Sequence, residues 1–452
     1  MIYFFLIFSF IAFFAEIIAI NVIVTEKNLT KVTITEHKVV PLNYNFVNNT
    51  LDNMEIKLKI NNNSLVKIRL NSVKGLFFNK RTKIWRLVKN SVNTDKMHYV
   101  LEKNIMDQLN IKFYHDTKTL SSVISIRDKN EKEMFQGIID SDKILQPLSN
   151  LVKYQKDTLL FNYETNNSTN DNQHIVYKLN LYKSLGKNIT ENQRTKSNLI
   201  DVKNKNIKQG MRKSKLGFPD IVYPEILIIL DKQLFSIFEY NVEKTLYYVL
   251  SYWNAVDLLF RRMDYPKVRL NIGGIIIAEA KLPFIDNKFL ADKTLNDFSH
   301  FLFNQDEIKF RKDYDAAMLM TGSIIKNPNN NKIKGKAYVG VACWENVLRK
   351  QIFATSIVTH KKLYNSIIST VHELAHLFGV PHDGFATELY LGGPGGKECF
   401  FEEGFIMSHK RHNKNQFQFS KCSMKSMSFF FSRKNAECLR NKPGTTNKFT
   451  IL

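Results

Sequence analysis

The chain has 452 residues, and its 65 Lys and Arg against 42 Asp and Glu give a formal charge of +23. Hydrophobic residues make up 44% of the sequence, which excludes a disordered or collagen-like chain and suffices for two or three packed domains. All four cysteines lie at or after residue 343, so the chain is not a small scaffold held by closely spaced disulfides.

The excess of Lys has two interpretations. A basic surface binds nucleic acid or anionic membranes, but these lysines are scattered and no aromatic-interleaved basic motif accompanies them. The chain is also rich in Asn, Ile and Phe, which share A/T-rich codons with Lys. We therefore favour compositional drift and expect no nucleic-acid partner.

The first segment, residues 1–19, is almost entirely apolar and is typical of a signal peptide, with cleavage points at small residues such as Ala15 and Ala19. An uncleaved anchor is the alternative, because the run is near the lower length limit for a spanning helix. No later segment is long and apolar enough to span a bilayer. We expect a secreted, extracellular monomer without a stable membrane anchor.

Potential glycosylation sites agree with the secretory route, because a glycan requires solvent-facing chain. All the Asn-x-Ser/Thr sequons precede residue 191, so the two halves of the chain should be different domains. The sequons are Asn28, Asn48, Asn62, Asn166, Asn167 and Asn188.

The N-terminal half, residues 20–190, consists of short alternating segments such as Met54–Ile60, bounded by Asn-rich turns. This period-two pattern predicts a mainly β domain. Residues 191–216 are polar and end in the basic cluster Arg212–Lys215, which predicts an exposed linker. The cluster is either a convertase processing site or an uncleaved loop.

The second half, residues 217–443, changes to strands that alternate with helices, which predicts an α/β fold with one sheet. A tail follows at residues 444–452. The predicted strands are Ile226–Leu230, Val268–Ala280, Ala316–Met320, Ala337–Val341 and a segment around Ile357, and the predicted helices are Val242–Arg262, Leu295–Phe303 and one from about Leu363.

The chemistry lies on the last of these helices. His372 and His376 are four residues apart, so both imidazoles lie on one helix face and can reach one ion. Glu373 is adjacent and can contact a metal-bound water. Gly379 stands where the helix should stop, and the turn can return His382 towards the first two histidines. Three nitrogen ligands and an exchangeable water make a catalytic zinc site.

This HExxHxxGxxH pattern resembles that of the metzincin metalloproteases, and Asp383 directly after His382 is similar to their adamalysin (reprolysin) branch. The resemblance extends from about Phe218 to Pro443 and includes segments similar to the family's strand, Met-turn and C-terminal motifs. These segments are Tyr223–Asp231, Tyr314–Gly322, Gly335–Cys343, Gly404–Met407, Phe419–Cys422 and Cys438–Pro443. It implies a metzincin-type domain, with a mixed twisted sheet and a long active-site helix, after a mainly β pro-domain.

The resemblance also implies roles for single residues. His372, His376 and His382 would bind one catalytic zinc, with Glu373 as the general base of a zinc metalloendopeptidase that acts on proteins or peptides. The other implied roles are Asp383 orienting the turn, Met407 supporting the zinc from below, disulfides Cys343–Cys438 and Cys399–Cys422, and a structural calcium at Glu225, Asp315 and Asn441. Glu225 and Asn441 are otherwise ordinary surface groups.

The departures from the family matter for regulation. The N-terminal half has no Cys, so a prodomain thiolate cannot silence the zinc, and a pro-domain would block the cleft by shape or act in folding.

His409 takes the place of a Tyr that is a fifth ligand in other metzincins. The short domain organisation of the chain is similar to that of secreted arthropod venom or salivary metalloproteases. Two alternatives remain: a zinc-binding protein or toxin that acts without proteolysis, and a zinc hydrolase of non-peptide substrates.

Overall fold

The computed structural model describes residues 37–47, 52–61, 64–73, 78, 82–89, 97–103, 105–127, 132–147, 173–178, 219–286, 288–305, 313–360, 364–443 and 450–451. The signal segment, the six sequons and the basic linker lie outside these residues.

The described N-terminal half is β-rich, as its period-two pattern predicts. Its elements are β1 (His37–Phe46), β2 (Asn53–Asn61), β3 (Ser64–Ser72), β4 (Lys83–Lys89), β5 (Met97–Leu101), α1 (Ile105–Gln108), β6 (Ile111–Asp116), β7 (Ser121–Arg127), β8 (Glu133–Ile139), β9 (Lys143–Pro147) and β10 (Gln173–Lys178).

Eight of these strands form a closed antiparallel sheet, called the N-terminal sheet below, in the order β1–β10–β9–β8–β7–β6–β3–β2. Alternate residues point inside it, for example Met54, Ile56 and Leu58 of β2, and pack together in its core. On β8 to β10 the opposite residues are also apolar, and Ile138, Ile144 and Ile175 join the core of the second half. The two halves therefore share a hydrophobic interface.

The second half contains strands, helices and short 3₁₀ helices in alternation. They are β11 (Ile221–Val222), β12 (Glu225–Leu230), α2 (Lys232–Ile237), α3 (Val242–Phe260), β13 (Lys267–Val268), β14 (Asn271–Ala278), α4 (Ala291–Phe303), β15 (Ala316–Thr321), β16 (Ile325–Lys326), β17 (Lys332–Ile333), β18 (Gly335–Ala337), β19 (Trp344–Asn346), β20 (Gln351–Ile352), β21 (Thr355–Thr359), α5 (Ile367–Leu377), α6 (Lys421–Ser432), β22 (Thr450–Ile451) and 3₁₀ helices Phe401–Glu403, Lys414–Phe417 and Lys434–Arg440.

A mixed seven-stranded sheet, in the order β18–β21–β15–β12–β14–β4–β5, organises this half. Strands β18 and β5 at its two edges are antiparallel to their neighbours, and the other pairs are parallel. Ile226 and Ile228 of β12 pack in one cluster with α3 and α5, whereas Leu227 and Ile229 pack with α4 on the other face. Helices therefore cover both faces of the central strands.

The hairpin of β4 and β5 comes from the N-terminal half but lies in this central sheet. Residues 83–87 pair in parallel with residues 274–278 of β14. Sequence patterning predicts β structure at β4 and β5 but not their partner, because strand pairing across about 190 residues leaves no local signal.

Several predicted elements differ from the observed ones. The predicted strand Val268–Ala280 is observed as β13 and β14, which lie in different sheets, and the helix predicted at Leu295–Phe303 begins at Ala291. The predicted strand Ala337–Val341 is observed three residues long, as β18 (Gly335–Ala337), because the following N–H groups of residues 340–342 bond instead to the carbonyls of His376 and Leu377 at the end of α5. The helix predicted from Leu363 begins at Ile367, since Tyr364 has a left-handed φ of 67°.

In the described part of the chain, each helix is too short or too polar to cross a membrane.

Candidate active site

Three imidazoles converge at the C-terminal half of α5. His372 and His376 lie one turn apart on this helix, and the chain then reverses and brings His382 back beside them. Nε2 of His382 lies 3.1 Å from Nε2 of His372 and 3.2 Å from Nε2 of His376. Tetrahedral zinc with bonds of 2.0–2.1 Å would hold its nitrogen ligands about 3.3 Å apart. The spacing of these three nitrogens therefore fits one zinc ion.

The outer nitrogens of two rings fix the orientation of the imidazoles. Nδ1 of His372 lies 2.9 Å from the carbonyl oxygen of Ile406, and Nδ1 of His376 lies 2.7 Å from that of Val380. A carbonyl oxygen only accepts, so each Nδ1 carries the proton and each Nε2 keeps its lone pair for a metal.

Burial also favours the neutral form of all three rings, which is the form that binds zinc. Burial is the largest cause that lowers the pKa of His376 to about 4. It likewise lowers the pKa of His372 and His382 well below the ordinary value for histidine.

Glu373 lies beside the imidazoles and against the edge strand β18. Burial raises the pKa of its carboxyl to about 8, and the positive charges of Arg411 and Lys336 act in the opposite direction. A Cβ atom on Gly335 would lie 2.6 Å from Cγ and 2.7 Å from Oε1 of Glu373. Glycine at the start of β18 therefore lets the strand pass next to this carboxylate.

The chain reversal between His376 and His382 depends on Gly379. This residue has a left-handed φ of +78°, and its N–H donates to the carbonyl of His376 at 2.9 Å. A Cβ atom here would lie 2.9 Å from the Cβ and Cδ2 of Phe430 on α6. Backbone conformation and close packing both require glycine at this turn.

Asp383 connects the segments around the third histidine. Its buried carboxylate accepts hydrogen bonds from the hydroxyl groups of Ser420 at 2.6 Å and of Ser408 and Ser423 at 3.2 Å. Its N–H donates to the carbonyl of Met407, which is fully buried, at 3.2 Å. The turn after His382 is thereby attached to the Met407 segment and to the start of α6.

The four cysteines form two disulfides, Cys343–Cys438 and Cys399–Cys422. Of the residues predicted for calcium, Glu225 and Asp315 lie together: the N–H of Glu225 donates to Oδ2 of Asp315 at 2.9 Å. Burial raises the pKa of Asp315, and the charge of Glu225 raises it further. Asn441 follows the 3₁₀ helix that carries Cys438.

Sequence reasoning missed the roles of Gly335 and Arg411 near the site. Gly335 begins a segment that resembles the family's edge strand, and His409 was predicted to take the place of a Tyr ligand, but the role of Gly335 depends on the position of Glu373. Arg411 and His409 lie in the basic run after Met407, and the ring centroid of His409 is 4.4 Å from that of His382. Their spacing from Met407 was the available signal, since the Met407 segment was already predicted to lie under the zinc.

The mixed sheet, the three converging imidazoles and the adjacent carboxylate define a zinc metalloprotease domain. Residues 222–443 match the Reprolysin (M12B) family of zinc metalloproteases.

Several known proteins resemble this chain. An "A disintegrin and metalloproteinase with thrombospondin motifs like" protein of Bombyx mori is 32% identical over 249 residues, 52% of this chain and 36% of that protein. Venom metalloproteinase 2 of Eulophus pennicornis is 27% identical over 36% of this chain and 40% of that protein. The chain therefore spans less than half the length of these two relatives.

Among solved structures, metalloproteinase-II from Bacteroides fragilis has a TM-score of 0.43 and 13% identity, and the similarity covers 82% of this chain and 90% of that chain. This likeness is too distant to support an inference.

Proposed function

We propose that this chain is a secreted zinc endopeptidase that hydrolyses peptide bonds in proteins. The observation that carries the proposal is the convergence of three neutral imidazole nitrogens, 3.1–3.2 Å apart, beside a buried carboxylate and a free sheet edge. His372, His376 and His382 would hold the metal. A zinc ion bound there supplies an activated water and polarises the scissile carbonyl.

Glu373 is the proposed general base, which takes a proton from the attacking water and passes it to the leaving amine. Strand β18 has β21 on one side and forms one edge of the central sheet. An extended substrate would add to its other side by strand pairing. Gly335 and Lys336 of β18 would then lie next to the bond that is cleaved.

We further propose a toxin role, because Venom metalloproteinase 2 of Eulophus pennicornis is a relative. The proposed organisation has a signal peptide at residues 1–19, a glycosylated pro-domain at 20–190, a processed linker at 191–216, the protease at 217–443 and a tail at 444–452. A calcium ion at Glu225, Asp315 and Asn441 is proposed as structural, completed by backbone carbonyls and water.

The proposal is tested with purified protein, its Glu373→Gln variant and casein as substrate. We expect about one zinc per chain in both proteins, and proteolysis by the wild type that a chelator abolishes. The variant should keep zinc and lose at least about 100-fold in rate, because the base is removed. Zinc binding without proteolysis in the wild type would instead indicate a binding protein, and an equally active variant would exclude Glu373 as the base.

A further inference from the structure

A basic segment lies next to the zinc site, directly after Met407. Its residues His409, Lys410, Arg411 and His412 differ in exposure: Arg411 is partly buried and the other three are exposed. The charge of Arg411 acts on Glu373 and on all three imidazoles. Arg411 is therefore close enough to the zinc site for its charge to act there.

The guanidinium of Arg411 has no anionic partner among the described residues. Its Nε donates to the carbonyl of Ser408 at 3.3 Å, and its two terminal nitrogens make no hydrogen bond or salt bridge in this part of the chain. Burial lowers the pKa of Arg411 to about 10, and the charge of Glu373 opposes that shift. Lys336, the other cation that acts on Glu373, is already paired with Asp292 at 3.0 Å.

Arg411 is partly buried and its terminal nitrogens have no partner among the described residues, so they are available to bind an anion. The planar guanidinium suits a carboxylate, which it binds through two parallel hydrogen bonds. The segment is held close to the third histidine: the ring of His409 contacts that of His382 with the two planes tilted by 42°, and Ser408 donates a hydrogen bond to Asp383. The position of Arg411 is thus fixed relative to the zinc ligands.

We propose that Arg411 forms an anion-binding subsite of the zinc cleft, so that the enzyme prefers substrates with a carboxylate within one or two residues of the cleaved bond. This inference rests on the proposed proteolytic function. The carboxylate belongs either to an Asp or Glu side chain or to the C-terminus of a short peptide.

The test uses fluorogenic peptides with Glu or Gln at each position that flanks the cleaved bond, all with amidated C-termini, and one short peptide with a free C-terminus. At one position Glu should raise kcat/KM by about 10- to 100-fold over Gln, the range of a charge-assisted hydrogen bond. If the free C-terminus is the ligand, only the short peptide gains by this factor. Equal cleavage of all peptides would overturn the proposal.

Two variants assign the preference to Arg411. Arg411→Gln should abolish the difference between Glu and Gln peptides, whatever it does to the overall rate, and Lys410→Gln, in the exposed neighbour, should keep that difference. Binding of the preferred peptide to the inactive Glu373→Gln protein should weaken by a similar factor when Arg411→Gln is added, which gives a readout without turnover. A preference that survives Arg411→Gln contradicts the subsite. Failure to cleave any peptide would contradict the proposed function instead.

A second inference follows from the contact between the two halves of the chain. Strand β4 covers β14, which would otherwise be an exposed sheet edge. Leu87 packs in the same cluster as Leu227, Ile229 and Ile276. Polar contacts add to this pairing: Arg86 binds Glu279 at 2.8 Å.

The N-terminal sheet also covers the outer face of α3, a helix that is buried on nearly all sides. Ser251 donates to the carbonyl of Gln136 at 3.2 Å, and the side chain of Gln136 donates to the hydroxyl of Tyr364 at 3.1 Å. Nε2 of His115 lies 2.9 Å from the carbonyl oxygen of Asn254. A helix that is apolar all round requires such a cover.

These contacts lie away from the zinc site. Strand β4 lies next to the edge strand β5, and β18 forms the opposite edge of the central sheet. Within the described chain, every hydrogen bond, ring contact and charge interaction of the three histidines and Glu373 goes to residues 336–411. We infer that the N-terminal region is a lasting structural part of the protease, which stays bound after the linker is cut and whose described strands leave the zinc site open.

This inference is tested by inserting a site for a sequence-specific protease between residues 191 and 216 of the full chain. After cleavage, both fragments should co-elute at the mass of the uncut protein, a readout that does not depend on proteolytic activity. Arg86→Glu, which repels Glu279, should speed dissociation at least 10-fold, whereas Lys118→Glu, at the exposed turn between β6 and β7, should not. Separation of the wild-type fragments at nanomolar concentration, or a 10-fold rise in activity on removal of the N-terminal fragment, would overturn it.

Discussion

Gly335 and Glu373 lie so close that the strand carrying one and the helix carrying the other leave no room for a methyl group between them. A Cβ atom on Gly335 would be 2.6 Å from the Cγ of Glu373. The strand therefore confines the carboxylate of Glu373 from one side. The carboxylate of Glu373 occupies space that a side chain at residue 335 would fill. No motif in the sequence predicts this contact.

The first prediction concerns this contact. Gly335→Ala should push the carboxylate of Glu373 out of place and lower kcat by about 10- to 100-fold, because small displacements of a catalytic group are costly. Zinc content should stay at the wild-type level, since the imidazoles do not contact Gly335. Steady-state kinetics and metal analysis check this, and an unchanged kcat in a folded variant would show that the carboxylate is not confined there.

The second prediction concerns Asp383. Asp383→Ala leaves three buried serine hydroxyls without their acceptor, so the free energy of unfolding should fall by about 2–4 kcal/mol. Because the turn after His382 is then less fixed, zinc affinity should fall by about 10-fold. Chemical denaturation and competition with a chelator measure the two effects. Ser408→Ala removes one of the three bonds and should cost about 1 kcal/mol; a larger loss there than in Asp383→Ala would contradict the role given to the carboxylate.

Much of the second half could be predicted because its signals are local. The apolar run at Ile226–Leu230 and the helical spacing after Val242 follow the periods of strand and helix, and the structure has β12 and α3 there. The four-residue spacing of His372 and His376 likewise places both rings on one helix face, and the structure brings their Nε2 atoms together with that of His382.

The long-range contacts could not be predicted in the same way. Strand β4 resembles any other alternating segment, and its pairing with β14 depends on packing between residues far apart in sequence. The edge strand was placed too late because residues 340–342 use their N–H groups to cap α5, a bond that the apolar pattern of Ala337–Val341 does not reveal. Arg411 faces the site for a similar reason, through the fold of the segment after Met407.

The third prediction concerns pH. Burial lowers the pKa of His360 to about 3, and its Nε2 lies 2.7 Å from the hydroxyl of Tyr248. In the unfolded chain this histidine has its ordinary pKa near 6.5. Between these values the unfolded state binds the extra proton, so the stability that the neutral ring contributes is complete above pH 6.5 and is lost as the pH falls towards 3.

The measurement compares the free energy of unfolding of the wild type and His360→Gln from pH 7 to pH 4. The wild type should lose up to about 1.4 kcal/mol per pH unit more than the variant in this range. Both proteins share the zinc ligands, so the difference between the two profiles reports His360. Parallel profiles would show that His360 becomes protonated without unfolding.

The fourth prediction concerns the turn that returns His382 to the site. Gly379→Ala should destabilise the protein by about 2–3 kcal/mol, partly because its φ of +78° disfavours a side chain and partly because a methyl group would meet Phe430 at 2.9 Å. In a Phe430→Gly background, which removes both the Cβ and the ring of residue 430, only the backbone cost at Gly379, about 1 kcal/mol, should remain. A double-mutant cycle by chemical denaturation therefore separates the two causes. Equal costs in both backgrounds would assign the whole effect to backbone conformation, and the contact of α6 with the turn would then contribute nothing.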